Sequence, residues 1–502
     1  MKRNGKKYSW LPAFIVVFLL ITAFNIFTFQ NIDNPTRLNY GTPMGMGDAA
    51  YYWRIVEVSL SITGSEHGLS FSEAYVAVAY SFRGYLYPFY IHFIRMISFG
   101  SNNIAVYIHF ILSAIVGAAF LTIVMPSLYK HLTKKETTIA MIAVFSFIYM
   151  FFWRYYFYNT MPDFFSMALI ITFILFLLKY FQKPGSKLAF ICGLLLSISI
   201  SLRQNLQIFG NFALLIIFTV ILLQLFLKFV NVKKITNSRF GILIADNTAI
   251  KNILLFLIGF IIITIPEIWF NYHRGVFFIF APSLPGDFVS EYQTLLESGA
   301  TTGFSLMQGH PWVLSNPLGI RIFNNVYPYV DTNRVFAHHL AYIVMNHPRE
   351  FFSTMFARLF LLFDIKIIPL YQNIENLHAY HPVYSVYAHI VSLFNHLLIS
   401  SMIVSVVVKD IRKSVYNNKE GIILIFFLIF SLLIQLFGHV EWRYILPSYV
   451  LIYYCVSYKL FDFFFIRKDS SKEYRHSFAW GVFIITIVMT AVSNNLYAAM
   501  SL

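Results

Sequence analysis

Residues 12–29 read PAFIVVFLLITAFNIFTF, an apolar run long enough to cross a lipid bilayer as one helix. The basic stretch KRNGKK (2–7) precedes it, as in a signal peptide, but no small-residue cleavage site follows, so we expect the run to be retained as a first span. Hydrophobic residues make up 58% of the 502-residue chain and charged residues only 12%, whereas soluble domains carry about 25% charged residues. The sequence therefore predicts an all-α polytopic membrane protein.

Similar apolar runs recur along the chain and predict about eleven transmembrane helices in total. With the N-terminus in the cytoplasm, lysine-rich loops fall on the inner side of the membrane, as the positive-inside rule requires. This partition also explains the net charge of +15, so we expect no nucleic-acid partner, which would need a basic face on a soluble domain. The predicted spans are 11–29, 104–126, 138–153, 163–181, 188–202, 206–227, 252–270, 386–408, 421–437, 444–460 and 478–496.

Two predicted outer segments are long, and they divide the chain into three parts. Residues 1–270 are expected to form an N-terminal transmembrane catalytic module that includes a first outer loop, 30–103. Residues 271–385 are expected to form a small extracytoplasmic domain, and residues 386–502 the C-terminal transmembrane helices. The first outer loop also contains an aromatic, amphipathic stretch that is typical of a helix lying on the outer leaflet.

The stretch GTPMGMGDAAYYWRIVE follows the first span closely and carries a glycine-flanked carboxylate, Asp48. Other charges lie at the outer ends of predicted spans, and the cations among them are arginines. Ionisable groups at membrane depth are functional candidates by default, and the planar arginine fork holds phosphate or carboxylate with two hydrogen bonds. The pattern therefore indicates a site for a phosphorylated ligand. The charges concerned are Asp48, Arg54, Arg83, Arg154, Asp163, Arg203, Glu441 and Arg443.

Five of these candidates also have a purely structural explanation. Asp48 suits a turn, because glycine followed by aspartate is common turn chemistry. Asp163 suits the first turn of a helix, where a carboxylate complements the helix dipole. Arg83 and Arg443 suit snorkelling toward lipid headgroups, which is the better explanation of Arg154. The histidine spacings demand no metal, so no cofactor is predicted, while metal dependence is left open.

Four short motifs, in this order along the chain, resemble the GT-C superfamily of polytopic membrane glycosyltransferases. The first, GDAAY (47–51), is similar to a first-loop pattern with a catalytic carboxylate, and RGYLYP (83–88) is similar to a basic residue ahead of a Pro/Tyr-rich stretch. The pair PD (162–163) is similar to a second carboxylate that opens a span, and EWRYILP (441–447) is similar to a late E-x-R-Y-x-x-P stretch.

The branch of the superfamily with the most similar layout contains protein O-mannosyltransferases and the aminoarabinose transferase of lipid A. Serotype-converting O-antigen glucosyltransferases are similar in size and span count. The chain departs from the pattern at Arg83, where the aminoarabinose branch commonly has lysine, and at Ala49, where some relatives have a second acidic residue. The second departure argues against a protein acceptor.

The resemblance implies a GT-C-like bundle that moves a sugar from a polyprenyl-phosphate donor to an outer glycan or lipid acceptor with inversion. It implies that Asp48 is the catalytic base and that Asp163 positions the acceptor or orients an arginine. The implied donor-phosphate ligands are Arg83, Arg443, Arg203 and Arg54, and the implied supporting residues are Tyr51, Tyr52, His439, Glu441 and Tyr444.

Two other functions are compatible with the sequence. A polymerase or ligase of lipid-linked polysaccharide also uses outer arginines, although Asp48 argues against it. A transporter or flippase would place polar groups at mid-span and show repeats with broken helices. We expect an integral protein of the bacterial inner membrane, with its active site on the extracytoplasmic face.

Overall fold

The computed structural model describes the protein at residues 10–30, 86–133, 136–203, 248–273, 345–346, 348–349, 352, 360, 363–364, 381–407, 446–461 and 472–501. Within these residues the chain is helical and contains no strand. The helices are α1 Trp10–Thr28, α2 Leu86–Ile97, α3 Asn102–Ala119, α4 Met125–Thr133, α5 Ile139–Tyr158, α6 Asp163–Gln182, α7 Ser186–Leu202, α8 Thr248–His273, α9 His381–Val407, α10 Leu446–Phe461 and α11 Lys472–Ser501.

Most of the predicted spans fall on these helices, and two of them, 206–227 and 421–437, lie outside the described residues. Among the described residues, four helical stretches are long and apolar enough to cross a membrane: Trp10–Thr28, Asn102–Leu132, Asp163–Gln182 and His476–Asn495. Shorter apolar helices are Ile139–Arg154, Ser186–Leu202, Lys251–Pro266 and His389–Val404. An all-α membrane protein is thus supported, while the number of eleven spans stays a prediction.

The chain forms two compact units. The N-terminal unit comprises Met1–Ser146 and Trp153–Pro282, and the C-terminal unit comprises Phe147–Phe152 and Ser283–Leu502. The short piece Phe147–Phe152 belongs to α5, so this one helix contributes residues to both units. The predicted division into three parts stays a prediction.

In the N-terminal unit, α1 packs on α3 through a small, polar contact. Gly117 of α3 leaves no room for a side chain, since an added Cβ would lie 2.7 Å from the ring of Phe157 and 2.8 Å from Ile21. Close by, the amide of Asn25 donates to the carbonyl oxygen of Phe157 at 3.2 Å, and the Ser113 hydroxyl donates to the same oxygen at 2.8 Å. The amide nitrogen of Asn25 and the hydroxyl of Ser113 thus find an acceptor where three helices meet.

The helices α7 and α8 approach each other at two glycines. An added Cβ at Gly193 would collide with the backbone of Phe256, and one at Gly259 with the backbone of Phe190. The Ser197 hydroxyl donates to the carbonyl oxygen of Phe260 at 2.8 Å across the same contact. Small residues that let helix backbones approach closely are the usual means of helix association in membranes.

We expect Gly193→Ala to destabilise the protein, because the new methyl group has backbone on one side and cannot be accommodated by a rotamer change. Overpacking of this kind typically costs about 1–3 kcal/mol, which should appear as a lower melting temperature in detergent. The matched control is Gly185→Ala at the start of α7, where an added Cβ meets no described atom within 4 Å. Equal melting temperatures of the two variants would contradict the close approach of α7 and α8.

One turn of π-helix, Phe120–Val124, joins α3 to α4 within a single continuous rod. Phe120, Leu121 and Thr122 of this turn are buried. A π-turn contains one more residue than the α-helical turn it replaces. The rod therefore changes its winding between the part that packs on α1 and the part that packs on α6.

The C-terminal unit is built on α9, which packs against both α10 and α11. Aromatic rings join α9 to α10 and to the short piece of α5: the ring of Phe152 stacks on Phe394 with centroids 5.5 Å apart and on Tyr453 at 5.1 Å. Along the facing surfaces of α9 and α11, the hydroxyl of Thr486 donates to that of Ser400 at 3.0 Å. The α9–α11 contact is therefore partly hydrogen-bonded.

Candidate functional site

Two of the sequence-predicted site residues, Asp163 and Arg203, form a buried ion pair at one end of the N-terminal unit. The Nε atom of Arg203 lies 3.3 Å from Oδ1 of Asp163, and their side chains are 9% and 2% exposed. Asp163 is the first residue of α6, and Arg203 directly follows the last residue of α7. The carboxylate therefore has two sources of favourable charge, the guanidinium and the positive end of the α6 dipole.

A pair of serines one turn away fixes the distance between these helix ends. The Ser166 hydroxyl donates to the carbonyl oxygen of Ser199 at 3.2 Å, and the Ser199 hydroxyl donates to that of Ser166 at 3.1 Å. The carbonyl oxygen of Ser199 also accepts from the backbone N–H of Arg203 at 3.2 Å. The ends of α6 and α7 are thus held in register, and the charged pair does not depend on side-chain attraction alone.

A second polar chain lies at the same end and was not found from the sequence. The buried imidazole of His109 donates through Nε2 to the carbonyl oxygen of Asn159 at 3.1 Å, because a carbonyl can only accept. Its Nδ1 lies 2.8 Å from the hydroxyl of Tyr90, which donates to it in the neutral ring. Burial raises the pKa of Tyr90, so this hydroxyl keeps its hydrogen.

The ring of Phe165 connects this chain to the ion pair. Its centroid lies 5.3 Å from that of Tyr90 and 6.1 Å from that of His109, and Phe165 is two residues beyond Asp163. Asn159 in turn belongs to the short connection between α5 and α6. We call these five residues, Tyr90, His109, Asn159, Asp163 and Arg203, the polar end of the N-terminal unit.

The other predicted site residues lie outside the described residues, so their proximity to the polar end stays a prediction. The first outer loop and its RGYLYP motif run into α2, which carries Tyr90 and packs on α3 and α7. Arg154, which we expected to snorkel, lies over the ring of Phe24 at 5.5 Å. The residues outside are Asp48, Tyr51, Tyr52, Arg54, Arg83, His439, Glu441, Arg443 and Tyr444.

The C-terminal unit contains a buried Asp–His pair that the sequence analysis did not single out. Nε2 of His396 lies 2.9 Å from Oδ1 of Asp364, and both side chains are fully buried. Ser392 donates to Oδ1 at 3.1 Å and Ser493 donates to Oδ2 at 2.6 Å. His396 could have been recognised from the sequence, because an ionisable residue within an apolar helix is a functional candidate. The same holds for His109.

Within the part of the chain that the structure describes, no group of three or more His, Cys, Asp or Glu side chains is arranged to hold a metal ion. A scan against protein-family models, a search of curated proteins and a search of solved structures each found no match to this chain.

Proposed function

We propose that the protein is an inverting membrane glycosyltransferase of the GT-C type. Its donor is a sugar on a polyprenyl monophosphate, and its acceptor is an extracytoplasmic glycan or lipid such as O-antigen, wall polymer or lipid A. The observation that carries the proposal is the buried Asp163–Arg203 pair at the ends of α6 and α7. A charged pair among apolar helices is costly to keep, and such groups are functional candidates by default.

The proposed chemistry is a single displacement at the anomeric carbon. The carboxylate of Asp48 takes the proton of the acceptor hydroxyl while the acceptor oxygen bonds to the anomeric carbon. The bond from that carbon to the phosphate oxygen breaks, and its electron pair leaves with the polyprenyl phosphate. Because phosphate is a good leaving group, the protein needs fixed cations where its charge grows and no general acid.

Several arginines supply the cations that stabilise the charge on the leaving phosphate. Arg83 and Arg443 bind the leaving phosphate directly, with Arg54 in support. Arg203 contributes a guanidinium whose Nε lies 3.3 Å from the Asp163 carboxylate, and the serine pair holds together the ends of α6 and α7 that carry these two residues. Preorganised cations of this kind lower the barrier because they need no rearrangement as the reaction proceeds.

The proposal is tested with purified protein in nanodiscs, supplied with a panel of polyprenyl-phosphate sugars and with O-antigen, wall polymer or lipid A. We expect one donor to yield both free polyprenyl phosphate and a glycosylated acceptor. Arg83→Ala should then lower the transfer rate about ten- to a hundred-fold, because hydrogen bonds to a charged group are lost. Arg83→Lys should retain part of the rate, because it keeps the charge without the fork.

The matched control is Arg154→Ala, because this arginine lies over an aromatic ring and has no proposed role in binding phosphate. Its transfer rate should equal that of the unaltered protein. An unchanged rate for Arg83→Ala would show that Arg83 only snorkels to headgroups. No release of polyprenyl phosphate from any donor would exclude the proposed reaction for the substrates in the panel.

One observation favours a proton-coupled transporter as the second candidate. Chains of Asp and His within membrane helices are typical of proton relays, and Asp364 and His396 form a buried pair against α9 and α11. The two candidates make opposite predictions in proteoliposomes. A transporter would move a lipid-linked or anionic substrate across the bilayer without releasing polyprenyl phosphate, whereas a glycosyltransferase would release it.

A further inference from the structure

The hydrogen-bond chain from Tyr90 through His109 to Asn159 joins separate segments of the N-terminal unit. Tyr90 lies on α2, His109 lies on α3, and Asn159 begins the connection between α5 and α6. Both ring nitrogens of His109 are used, at 2.8 Å from the Tyr90 hydroxyl and at 3.1 Å from the Asn159 carbonyl oxygen. The imidazole therefore links the position of α2 to that of the connection.

The connection between α5 and α6 is short and stiff. The carbonyl oxygen of Asn159 also accepts from the backbone N–H of Met161 at 2.8 Å, which closes a turn on the same atom. Pro162 follows, and its ring restricts the backbone directly before Asp163. The backbone N–H of Ser166 donates to the carbonyl oxygen of Pro162 at 2.9 Å, as part of the first turn of α6. A displacement of the Asn159 carbonyl group would therefore be passed on to Asp163.

Packing alone would not require an imidazole at position 109. The ring of His109 lies among the rings of Phe110, Phe165 and Tyr90, at centroid distances of 6.2, 6.1 and 5.9 Å, and the side chain is fully buried. An apolar side chain would fill the same space without the cost of burying polar nitrogens. What the imidazole adds is direction, because a hydrogen bond constrains the angle as well as the distance between its groups.

The two ends of the chain lead to different parts of the proposed phosphate site. Arg83 precedes the first residue of α2 by three positions in the sequence, and Tyr90 follows that residue by one helical turn. At the other end, Asn159 leads into Asp163, whose carboxylate is paired with Arg203. Cations lower the barrier most when their positions are fixed before the charge on the phosphate grows. The chain is placed to fix one part of that site relative to the other.

We propose that Tyr90 and His109 are positioning residues of the transferase. They hold the connection between α5 and α6 in place relative to α2, and through it they set the position of the Asp163–Arg203 pair for the leaving phosphate. This role rests on the proposed function, in which Arg203 stabilises the charge on that phosphate. Both residues act through the buried ion pair and not on the substrate itself.

Hydrogen exchange of the intact protein in nanodiscs tests whether the chain holds the connection. In a neutral ring, the Tyr90 hydroxyl favours the tautomer with its hydrogen on Nε2, which is the tautomer that donates to Asn159. Tyr90→Phe removes this preference and weakens the contact with the carbonyl group. Peptides that cover 159–166 should then open more often and exchange faster than in the unaltered protein. His109→Phe, which keeps a ring and loses both hydrogen bonds, should have the same effect.

The matched control for the exchange experiment is Tyr107→Phe. Tyr107 lies on α3, its ring contacts Phe29 and Phe110 at centroid distances of 5.8 and 6.1 Å, and it takes no part in the chain. This variant should exchange at 159–166 as the unaltered protein does. Equal exchange of Tyr90→Phe and Tyr107→Phe would overturn the proposal.

Transfer kinetics test whether the chain positions catalytic groups. We expect Tyr90→Phe to lower kcat by about ten- to a hundred-fold, since a misplacement of about 1 Å can cost a hundred-fold. The KM for the donor should stay close to the unaltered value, because no ligand of the donor is replaced. A merely structural role would instead lower the fraction of protein that binds donor and leave kcat per donor-binding site unchanged. Tyr107→Phe should keep the unaltered kcat and KM.

The double variant Tyr90→Phe/Asp163→Asn shows whether Tyr90 acts through Asp163. If it does, the double variant should transfer about as fast as Asp163→Asn alone, because the effects of residues that act as a unit are not additive. Full multiplication of the two separate losses would overturn the positioning role, as would an unaltered kcat for Tyr90→Phe. If the unaltered protein transferred no sugar from any donor, the proposed function would fail, and the exchange experiment would still decide whether the chain holds the connection.

Discussion

Asp48→Asn should transfer sugar about a hundred- to ten-thousand-fold more slowly than the unaltered protein, because that range is the usual contribution of a general base. Asparagine keeps the size of the side chain and one acceptor oxygen, and it suits turns as aspartate does. It removes the basic oxygen that, in the proposed reaction, takes the proton of the acceptor hydroxyl. We therefore expect normal insertion and normal binding of the donor, with the loss confined to transfer.

The measurement compares transfer rate with donor binding for Asp48→Asn and Asp163→Asn in nanodiscs. Asp163 is the first residue of α6 and pairs with Arg203, so Asp163→Asn should lower transfer less if Asp163 only orients that arginine. A greater loss from Asp163→Asn, or near-normal transfer by Asp48→Asn, would move the role of base to Asp163.

Asp163→Ala should lower the stability of the protein by about 3–5 kcal/mol, the usual effect of removing one partner from a buried ion pair. The side chain of Arg203 is 9% exposed. Its guanidinium would keep its charge and lose the carboxylate beside it. The measurement is the unfolding free energy, or the melting temperature, of the variant in detergent.

The control for this prediction is the double variant Asp163→Ala/Arg203→Met. Replacing both partners by apolar residues is often neutral, so the double variant should recover much of the stability that Asp163→Ala loses. Its transfer activity should stay low if Arg203 contributes to phosphate binding. A double variant as unstable as Asp163→Ala would show that the attraction between the two charges is not what the single substitution removes.

Helix positions were predictable because the length of an apolar run can be read from consecutive residues of the chain. Asp163 was expected to open a span and Arg203 to follow one; in the structure α6 begins at Asp163 and α7 ends at Leu202, while the status of α7 as a span stays a prediction. That Asp163 would orient an arginine was one of two predicted roles. Which arginine it meets was not predictable, because the pairing depends on how α6 and α7 pack through Ser166 and Ser199.

The contacts of His109 and Asp364 were not predictable for a different reason. His109 meets Tyr90 and the carbonyl oxygen of Asn159, 19 and 50 residues away in the chain. Asp364 meets Ser493, 129 residues away. Periodicity reports which face of a helix is apolar, and it contains no information about which distant hydroxyl or carbonyl reaches that face.

The π-turn at Phe120–Val124 has a consequence for how the N-terminal unit tolerates changes of chain length. Because a π-turn contains one more residue than the α-helical turn it replaces, removing one residue here would restore uniform α-helical winding and rotate α4 only slightly relative to α3. The buried residues of α4 that face α6 would keep their direction, whereas a residue removed from the α-helical part of the rod would rotate α4 by about 100°. The π-turn is therefore the place in this rod where the loss of one residue is compatible with the packing of both ends.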